Sequence, residues 1–449
     1  MIRCTESRKT DQFMHEPDKS RRIQLANLRD LLGKKIPVWA SELKELAKEH
    51  GDKVVSEVNI AQVLGGMRGV KSLLCDTSLV EPDRGLIIRG IPISELTDKL
   101  PEEIFFLLLT GELPDGAALT KLQREYSERG EVPSYVWDVI EAMPGDSHPM
   151  AMFNLAILSM QRESKFKKAY DTGVKKPNYW VSTLEDALDI LAKLPEIAAG
   201  VYRMKYEKGP RIPRDPNLDW GGNFARMLGL GEGDPVFAEM IRLYLTLHCD
   251  HEGGNVSAFT CHVVNSALSD LYYAVSAGLN GLAGPLHGLA NQECLKFVLW
   301  ILDRHAGMPD DEQLREEIWE TLHSGRVIPG YGHAVLRVTD PRFEAFRQFA
   351  MKHFKEDQVL LLVNRLFEEV PDILVEHGKA KNPWPNVDAA SGALLYHYGM
   401  TEFSYYTVLF AVSRAMGMCA QSVISRGMME AITRPKSVET GWLKAQVSG

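Results

Sequence analysis

Residues 407–424 (TVLFAVSRAMGMCAQSVI) form a segment that would be apolar on nearly every face of a helix. A helix of this kind lies either inside a large folded core or in a membrane. Arg414 stands near its middle and Gln421 near its end, and both favour the core. No uninterrupted run of about 18 apolar residues occurs in the sequence, so we expect no membrane span.

Helix signals are frequent along the chain. Ser182 and Glu185 have the spacing of a capping box, and apolar residues follow at helical intervals. Pro195 then predicts a kink or a break. Pro101 in a first turn and Gly111 at the end bracket a second helix over residues 102–110.

Strand signals are sparse by comparison. The best is the segment 85–93, which is rich in β-branched residues but interrupted by Gly90 and Pro92, and it predicts a small hairpin or an edge strand. Nothing alternates strand and helix as a parallel sheet requires. The sequence therefore predicts an all-α fold of many short helices, and 449 residues are enough for more than one domain.

The charge and the cysteines indicate the kind of partner and compartment. A net charge of −9 argues against a general surface for nucleic acid or anionic membranes, so an anionic substrate would need a local positive pocket. Six scattered cysteines without a CxxC pair indicate thiols in a reducing compartment. The first residues lack an apolar stretch and include Glu6, Asp11 and Glu16, which argues against a signal or transit peptide and predicts a cytoplasmic protein.

Three loop-like segments each carry one side chain that can transfer a proton at neutral pH. They are residues 284–293 with His287, residues 328–337 with His333, and residues 382–389 with Asp388. Four arginines accompany them, namely Arg337, Arg342, Arg414 and Arg434. Two imidazoles, one carboxylate and several guanidinium groups together indicate acid/base chemistry on an anionic substrate.

Each histidine also has a purely structural explanation. His287 follows a Gly-Pro turn just before a predicted helix, where the helix dipole would keep the imidazole neutral, but it could simply satisfy the turn. His333 lies in Pro-Gly-Tyr-Gly-His, where the glycines allow a ligand to approach the backbone or merely make a tight turn. Arg342, nine residues later, could bind a carboxylate through two hydrogen bonds.

Asp388 and Arg414 leave similar alternatives open. Asp388 could be an ordinary N-cap of a helix starting at Ala389, or a base whose pKa is raised by the neighbouring Trp384 and Val387. A guanidinium in a core helix is costly without a partner. Either a structural carboxylate or a substrate carboxylate must therefore pair with Arg414.

A metal site is the weakest of the candidate sites. His248, His251 and His262, with Cys261, have some of the spacing of a ligand set, which would make the chain a metal-dependent hydrolase. No CxxC or HExxH motif accompanies them, so we expect no metal. A helical scaffold without catalysis is a further alternative, which the intact His287, His333 and Asp388 oppose.

Six segments together resemble citrate synthases of the eukaryotic-like branch. They are residues 248–258, 281–293, 327–342, 379–388, 398–402 and 412–414. The resemblance extends from about residue 50 to about residue 440. It implies an all-α, multi-helical homodimer with a large domain (1–288 and 400–449) and a smaller mobile domain (289–399).

The resemblance also implies a reaction, in which acetyl-CoA condenses with oxaloacetate and the citryl-CoA thioester is hydrolysed. Asp388 would take a methyl proton from acetyl-CoA, His287 would stabilise the enol(ate), and His333 would polarise and protonate the oxaloacetate carbonyl. The residues implied to bind oxaloacetate are His251, Asn255, Arg342, Arg414 and Arg434. The last of these would reach across from the partner subunit. The residues implied to bind CoA are Val327, Ile328, Gly330, Tyr331, Arg337, Lys381 and Asn386. No cofactor or metal is implied.

Departures from the family pattern affect the subfamily and the donor. Phe259 and Ala390 stand where animal-type members have histidine, which leaves the fine shape of the pocket open. An untargeted N-terminus on a eukaryotic-like body predicts a bacterial cytoplasmic enzyme. The nearest rival is a 2-methylcitrate synthase that uses propionyl-CoA, since one methylene is worth only about 1–3 kcal/mol in an apolar pocket.

Overall fold

The computed structural model describes residues 27–333 and 335–448. In these ranges helices dominate the structure, as predicted. The helices of the first half are α1 Leu28–His50, α2 Ile60–Leu64, α3 Pro101–Thr110, α4 Gly116–Arg129, α5 Ser134–Glu141, α6 Pro149–Ser159, α7 Lys165–Asp171, α8 Tyr179–Lys205, α9 Trp220–Leu228 and α10 Pro235–His248. Those of the second half are α11 Val256–Ser266, α12 Leu271–Leu282, α13 Ala290–Arg304, α14 Asp311–His323, α15 Pro341–His353, α16 Gln358–His377, α17 Asp388–His397, α18 Tyr406–Met428 and α19 Thr440–Ala445.

Helix α18 is the centre of the fold. It contacts helices from both halves of the chain: α1, α3, α8, α10, α11 and α12. Residues 403–428 are long and apolar enough to cross a bilayer, but 89% of an 18-residue apolar stretch within them is buried inside the protein. The prediction of a core helix over residues 407–424 is therefore confirmed.

A small antiparallel sheet lies beside the helices. Strands β1 (Ser78–Glu81), β2 (Gly85–Ile88) and β3 (Ile91–Pro92) pair in sequence order. The hairpin predicted over residues 85–93 is present as β2 and β3. Strand β1 was not predicted, because four residues give too short a pattern to recognise.

The predicted bounds of helix α3 are confirmed, whereas the capping box predicted at Ser182 and Glu185 is wrong. Pro101 and Gly111 bracket α3, and Gly111 ends it with a φ of 77°. Helix α8 begins three residues before Ser182, whose hydroxyl donates to the Tyr179 carbonyl instead of capping. Its predicted capping partner, Glu185, forms ion pairs with arginines from two other helices, α1 and α4. Distant partners therefore override the local capping pattern.

Helix α8 also continues through Pro195, so the predicted alternative of a break is wrong, whereas the alternative of a kink stays a prediction. A proline inside a helix costs about 3 kcal/mol. Ile197, Ala198 and Val201 follow Pro195 and are completely buried. Burying Ile197 and Val201 alone offsets the cost of the proline, because a fully buried valine or isoleucine side chain contributes about 1.5–3 kcal/mol.

Helices α13 to α17 follow one another in sequence and pack together. Helix α17 contacts α13, α15 and α16, and α14 packs on α16. Helix α15 also contacts α10 and strand β2, so this group adjoins the rest of the molecule there. The proposed division into residues 1–288 with 400–449 and residues 289–399 stays a prediction.

Candidate active site

His287 lies in the turn between α12 and α13. The Ser257 backbone N–H donates to His287 Nε2 at 3.3 Å, and Ser257 Oγ lies 3.0 Å from the same nitrogen. An N–H directed at Nε2 makes that nitrogen the acceptor, so the ring proton sits on Nδ1. Burial, reinforced by Arg414, lowers the pKa of His287 to about 4, so the ring is neutral at pH 7. Desolvation by burial is thus the main cause of the predicted neutral form.

His333 presents the opposite nitrogen. Its Nδ1 accepts the backbone N–H groups of Val335 at 3.0 Å and Leu336 at 2.9 Å. The ring proton therefore sits on Nε2, where it can be donated to a ligand. Burial and the neighbouring Arg342 lower the pKa of His333.

Asp388 is the first residue of α17. Its side chain does not cap this helix, since the capping position belongs to Val387 and has no side-chain hydrogen bond. The capping alternative is therefore wrong. Burial raises the pKa of Asp388 to about 6, and Arg342 partly opposes this rise. A carboxylate with such a pKa is a stronger base than an exposed one and is still ionised at neutral pH.

Backbone hydrogen bonds join the loop of His333 to the loop that precedes Asp388. The Gly332 N–H donates to the Trp384 carbonyl at 3.0 Å, and the Asn386 N–H donates to the Gly330 carbonyl at 2.8 Å. The Asn386 side chain donates to the Gly332 carbonyl and accepts from the Asp388 N–H, both at 3.0 Å. Both ends of this side-chain amide, which was predicted to bind CoA, are thus occupied within the chain.

Arg414 is a buried guanidinium that has no ion-pair partner within the described residues. It is 2% exposed and lies over the Phe410 ring, with its Cζ 4.7 Å from the ring centre. It donates to the His248 carbonyl at 3.1 Å and to Asn255 Oδ1 at 3.2 Å. Burial lowers its pKa to about 10, so it keeps its charge at neutral pH. A structural carboxylate, one of the two predicted alternatives, does not pair with it in this part of the chain.

Arg342 differs, because a carboxylate of the chain already binds it. Asp340 accepts from Arg342 Nε at 3.0 Å and from Nη2 at 2.7 Å. The two-bond interaction predicted for Arg342 is thus made with Asp340, which leaves Nη1 outside this pair. Sequence reasoning missed Asp340, although an Asp-Pro dipeptide is a common helix start and Asp340 caps α15.

His251 and Asn255 complete the group around the two arginines. The His251 and His333 ring centres lie 5.8 Å apart. Burial, together with Arg342 and Arg414, lowers the pKa of His251 far below its usual value. Asn255 caps α11 through the Ala258 N–H at 3.1 Å while it accepts from Arg414. Ser257 Oγ lies 3.0 Å from His287 Nε2 and 3.5 Å from Arg414 Nη1, and Arg342 acts on both His333 and Asp388, so the three predicted catalytic residues surround the two arginines.

Arg434 is not part of this cluster. It is exposed, and the Thr433 N–H beside it donates to Ser266 Oγ at 3.0 Å. Ser266 is the last residue of α11, whereas Asn255 lies just before the first. Because the eleven residues of α11 span about 16 Å, Arg434 and the cluster lie at opposite ends of this helix. The prediction that Arg434 reaches a partner subunit stays a prediction.

A cleft of about 380 Å³ opens beside His333, and most of the residues predicted to bind CoA line it. Its lining includes Val327, Ile328, Tyr331, Lys381, Arg326 and Lys379. The last two are basic residues that were not predicted to bind CoA, although Lys379 lies within the segment 379–388 and Arg326 directly precedes the segment 327–342. Arg337 instead turns its guanidinium onto the backbone carbonyls of Val335 at 2.9 Å and Leu336 at 2.7 Å.

The three histidines of the alternative metal site each contact different partners. His248 stacks on Tyr244 with Nδ1 3.0 Å from the Tyr244 carbonyl, and burial lowers its pKa to about 3. His251 faces His333, while His262 Nε2 lies 2.9 Å from Thr433 Oγ1. Among the described residues no group of three potential ligands comes together, so the metal-dependent hydrolase has no support there.

Comparison with known proteins decides the family. Residues 66–436 match the family described as citrate synthase, C-terminal domain. The chain belongs to the citrate synthase family. Mitochondrial citrate synthase of Saccharomyces cerevisiae is 48% identical over 423 residues, which is 92% of this chain and 88% of that protein. Mitochondrial citrate synthase 4 of Arabidopsis thaliana is 47% identical over 429 residues, or 93% and 90%.

Solved structures agree with this assignment. The citrate synthase of Pyrobaculum aerophilum superposes with a TM-score of 0.75 at 28% identity, over 87% of this chain and 96% of that one. The all-α citrate synthase fold, the family and the prediction of an enzyme of this kind are therefore confirmed.

The predicted compartment is wrong. The relatives at 47–48% identity are mitochondrial proteins, which contradicts a cytoplasmic, bacterial-like enzyme. That prediction rested on the composition of the first residues, and residues 1–26 lie outside the part of the chain that the structure describes. A eukaryotic-like body was the better indicator.

Gly330 provides a test of the joined loops. Its φ is 82°, and an added Cβ would lie 2.9 Å from the Ala389 Cα. Gly330→Ala should therefore push the His333 loop away from α17 and lower kcat at least tenfold in a citrate synthase assay. Gly399→Ala is the matched control, because its φ is 79° and a Cβ there meets nothing within 4 Å. Equal effects of the two substitutions would show that backbone strain, and not displacement, is responsible.

Proposed function

We propose that the chain condenses acetyl-CoA with oxaloacetate and water to give citrate and CoA. The observation that carries this proposal is the buried guanidinium of Arg414, which has no ion-pair partner among the described residues and acts on His251, His287 and Asp388. A buried cation without a counter-ion is unfavourable, and an anionic substrate would relieve it. Oxaloacetate supplies two carboxylates for such a pocket.

The oxaloacetate site consists of His251, Arg342 and Arg414, with Asn255 as support. Arg414 binds one substrate carboxylate, and Nη1 of Arg342 donates to a carboxylate while Asp340 holds the rest of its guanidinium. Arg434 of the partner subunit in a homodimer adds a further cation. A local cluster of this kind lets a chain of net charge −9 bind a dianion.

Three groups carry out the condensation. Ionised Asp388 removes a proton from the methyl group of acetyl-CoA, while the Nδ1–H of neutral His287 donates to the thioester oxygen that becomes the enolate. The Nε2–H of His333 donates to the oxaloacetate carbonyl, and its proton passes to the alkoxide as the carbon–carbon bond forms. Water then hydrolyses the citryl-CoA thioester, releasing citrate and free CoA.

CoA occupies the cleft beside His333. Val327, Ile328 and Tyr331 of its lining, with Gly330 of the same loop, receive the adenine. Lys381 and Arg337 serve the phosphates, the latter after turning from its backbone partners. Asn386 contributes indirectly by holding the His333 loop against α17. Closure of residues 289–399 over the substrates would exclude water until the bond has formed.

The direct test measures release of free thiol from acetyl-CoA, with propionyl-CoA in parallel. We expect rapid release that requires oxaloacetate, with kcat/KM higher for acetyl-CoA. A higher kcat/KM for propionyl-CoA would favour 2-methylcitrate synthase. Release with neither donor would contradict the proposed function.

The role of Asp388 predicts a pH profile. The base must be ionised and its pKa is about 6, so kcat/KM should fall about tenfold per pH unit below pH 6. Asp388→Asn, which keeps the shape, should lower kcat by about 10²–10⁴ at pH 8. Its affinity for oxaloacetate, measured by calorimetry, should change less than threefold, since a carboxylate base makes no attractive contact with a dianion. Equal loss of binding and rate would mean that Asp388 is structural.

The role of Arg414 predicts the reverse pattern. Arg414→Leu should weaken oxaloacetate binding by about 100-fold, because the loss of one partner of a buried charge pair costs about 3 kcal/mol or more. Arg426→Leu is the matched control, since Arg426 is also buried with its pKa lowered to about 10 but contacts Asn265 and the Ser269 carbonyl instead. Unchanged oxaloacetate affinity in Arg414→Leu would show that this guanidinium serves the fold alone.

A further inference from the structure

The turn between α10 and α11 carries His251 in a strained conformation. Residues 249–255 connect the two helices, and Glu252 has a φ of 61°, a value that non-glycine residues rarely adopt. Such strain costs of order 1–3 kcal/mol and persists where surrounding contacts fix the backbone. The contacts that fix this turn therefore also decide where His251 stands.

Asp250, the residue before His251, lies at the centre of these contacts. Its carboxylate is completely buried and accepts from Thr77 Oγ1 at 2.5 Å, from Ser78 Oγ at 2.9 Å and from Gln421 Nε2 at 2.7 Å. The donors come from two elements that are far apart in sequence, the start of β1 and helix α18. None of the three donors belongs to the turn itself, so these hydrogen bonds tie the turn to the rest of the fold.

Strand β1 and the turn interlock in both directions. The Glu252 N–H donates back to Ser78 Oγ at 2.8 Å, and Glu252 Oε1 accepts the Val80 N–H at 2.7 Å. The Ser78 hydroxyl thus donates to Asp250 and accepts from Glu252, which bracket His251. Loss of this one hydroxyl would release both sides of His251.

Helix α18 closes the other side. The Gly417 N–H donates to the Cys249 carbonyl at 3.1 Å, and a Cβ at Gly417 would lie 2.5 Å from the Asp250 carboxylate. Gln421 also donates to the Glu252 carbonyl at 3.2 Å. Arg414 stands one turn before Gly417 on the same helix, and Asp250 is the main negative group acting on it. The turn is therefore held in fixed relation to the guanidinium proposed to bind oxaloacetate.

The hairpin formed by β1 and β2 (residues 78–88) also contacts the segment that carries His333 and Arg342. The Arg337 N–H donates to the Pro82 carbonyl at 2.7 Å, in the turn between β1 and β2. At the start of β2, Gly85 lies so close to Pro341 that an added Cβ would be 2.5 Å from its ring. One short hairpin thus contacts both loops that supply oxaloacetate ligands.

We propose that Asp250 is a positioning residue for oxaloacetate binding, which clamps the His251 turn between the β1–β2 hairpin and α18. It does not touch the substrate; it acts through His251 and Arg414. This inference rests on the proposed function. Because His251 and Arg414 would contact oxaloacetate before and during reaction alike, loosening the clamp should raise KM for oxaloacetate and leave kcat nearly unchanged.

The test uses neutral substitutions on each side of the clamp. Ser78→Ala removes the hairpin contact and Gln421→Met removes the α18 contact at similar size. For the intact enzyme we would measure the calorimetric Kd of oxaloacetate, KM for both substrates, and kcat. Ser159→Ala is the matched control, because its hydroxyl donates to the Ala156 carbonyl at the end of α6, away from the site.

We expect oxaloacetate Kd and KM to rise about fivefold or more in both clamp variants, with acetyl-CoA KM and kcat within twofold of wild type. Unchanged oxaloacetate affinity in both folded variants, with wild-type values normal, would overturn this inference alone. If one variant fails to fold by circular dichroism, the other decides. Wild-type protein that neither binds oxaloacetate nor releases thiol would overturn the proposed function and this inference together.

Discussion

The guanidinium of Arg414 is the constraint on which the rest of the structure depends. It lies at the middle of the buried helix α18, and the described chain gives it carbonyl, amide and aromatic neighbours but no carboxylate within ion-pair distance. A charge in such a place is tolerated because polar groups solvate it, and these come from residues 248–257. The α10–α11 connection must therefore pack directly on α18.

Burial shifts the pKa of the histidines and the pKa of Asp388 in opposite directions around this charge. It lowers the pKa of His251, His287 and His333 and raises that of Asp388, because each shift favours the uncharged form. Arg414 and Arg342 add to the effect on the histidines and oppose it on the aspartate. At neutral pH the site thus contains neutral imidazoles that can donate protons and one ionised base, a division of roles that acid/base catalysis needs.

The sequence predicted the parts of the structure whose causes are local. Pro101 and Gly111 mark α3 through backbone preferences within one helix, and the all-round apolar segment could only be a core helix once Arg414 was considered. The predicted start of α8 at Ser182 was wrong because Glu185 pairs with arginines more than 50 residues away in sequence. Family resemblance, and not spacing, brought His251, His333 and Arg414 into one site. Asp250 and Asp340 escaped notice because their partners become visible only when the chain is folded.

His287 and His333 show why a site of this kind needs backbone donors. The N–H groups that follow His333 occupy Nδ1, whereas the N–H of Ser257, from a different helix, is directed at Nε2 of His287. The same side chain therefore presents Nε2–H in one position and Nδ1–H in the other. Side-chain partners could rotate and exchange these tautomers, but an amide N–H can only donate. Fixing each imidazole with an amide makes its free nitrogen a permanent donor, so in the proposed reaction both oxygens that gain negative charge meet a proton already in place.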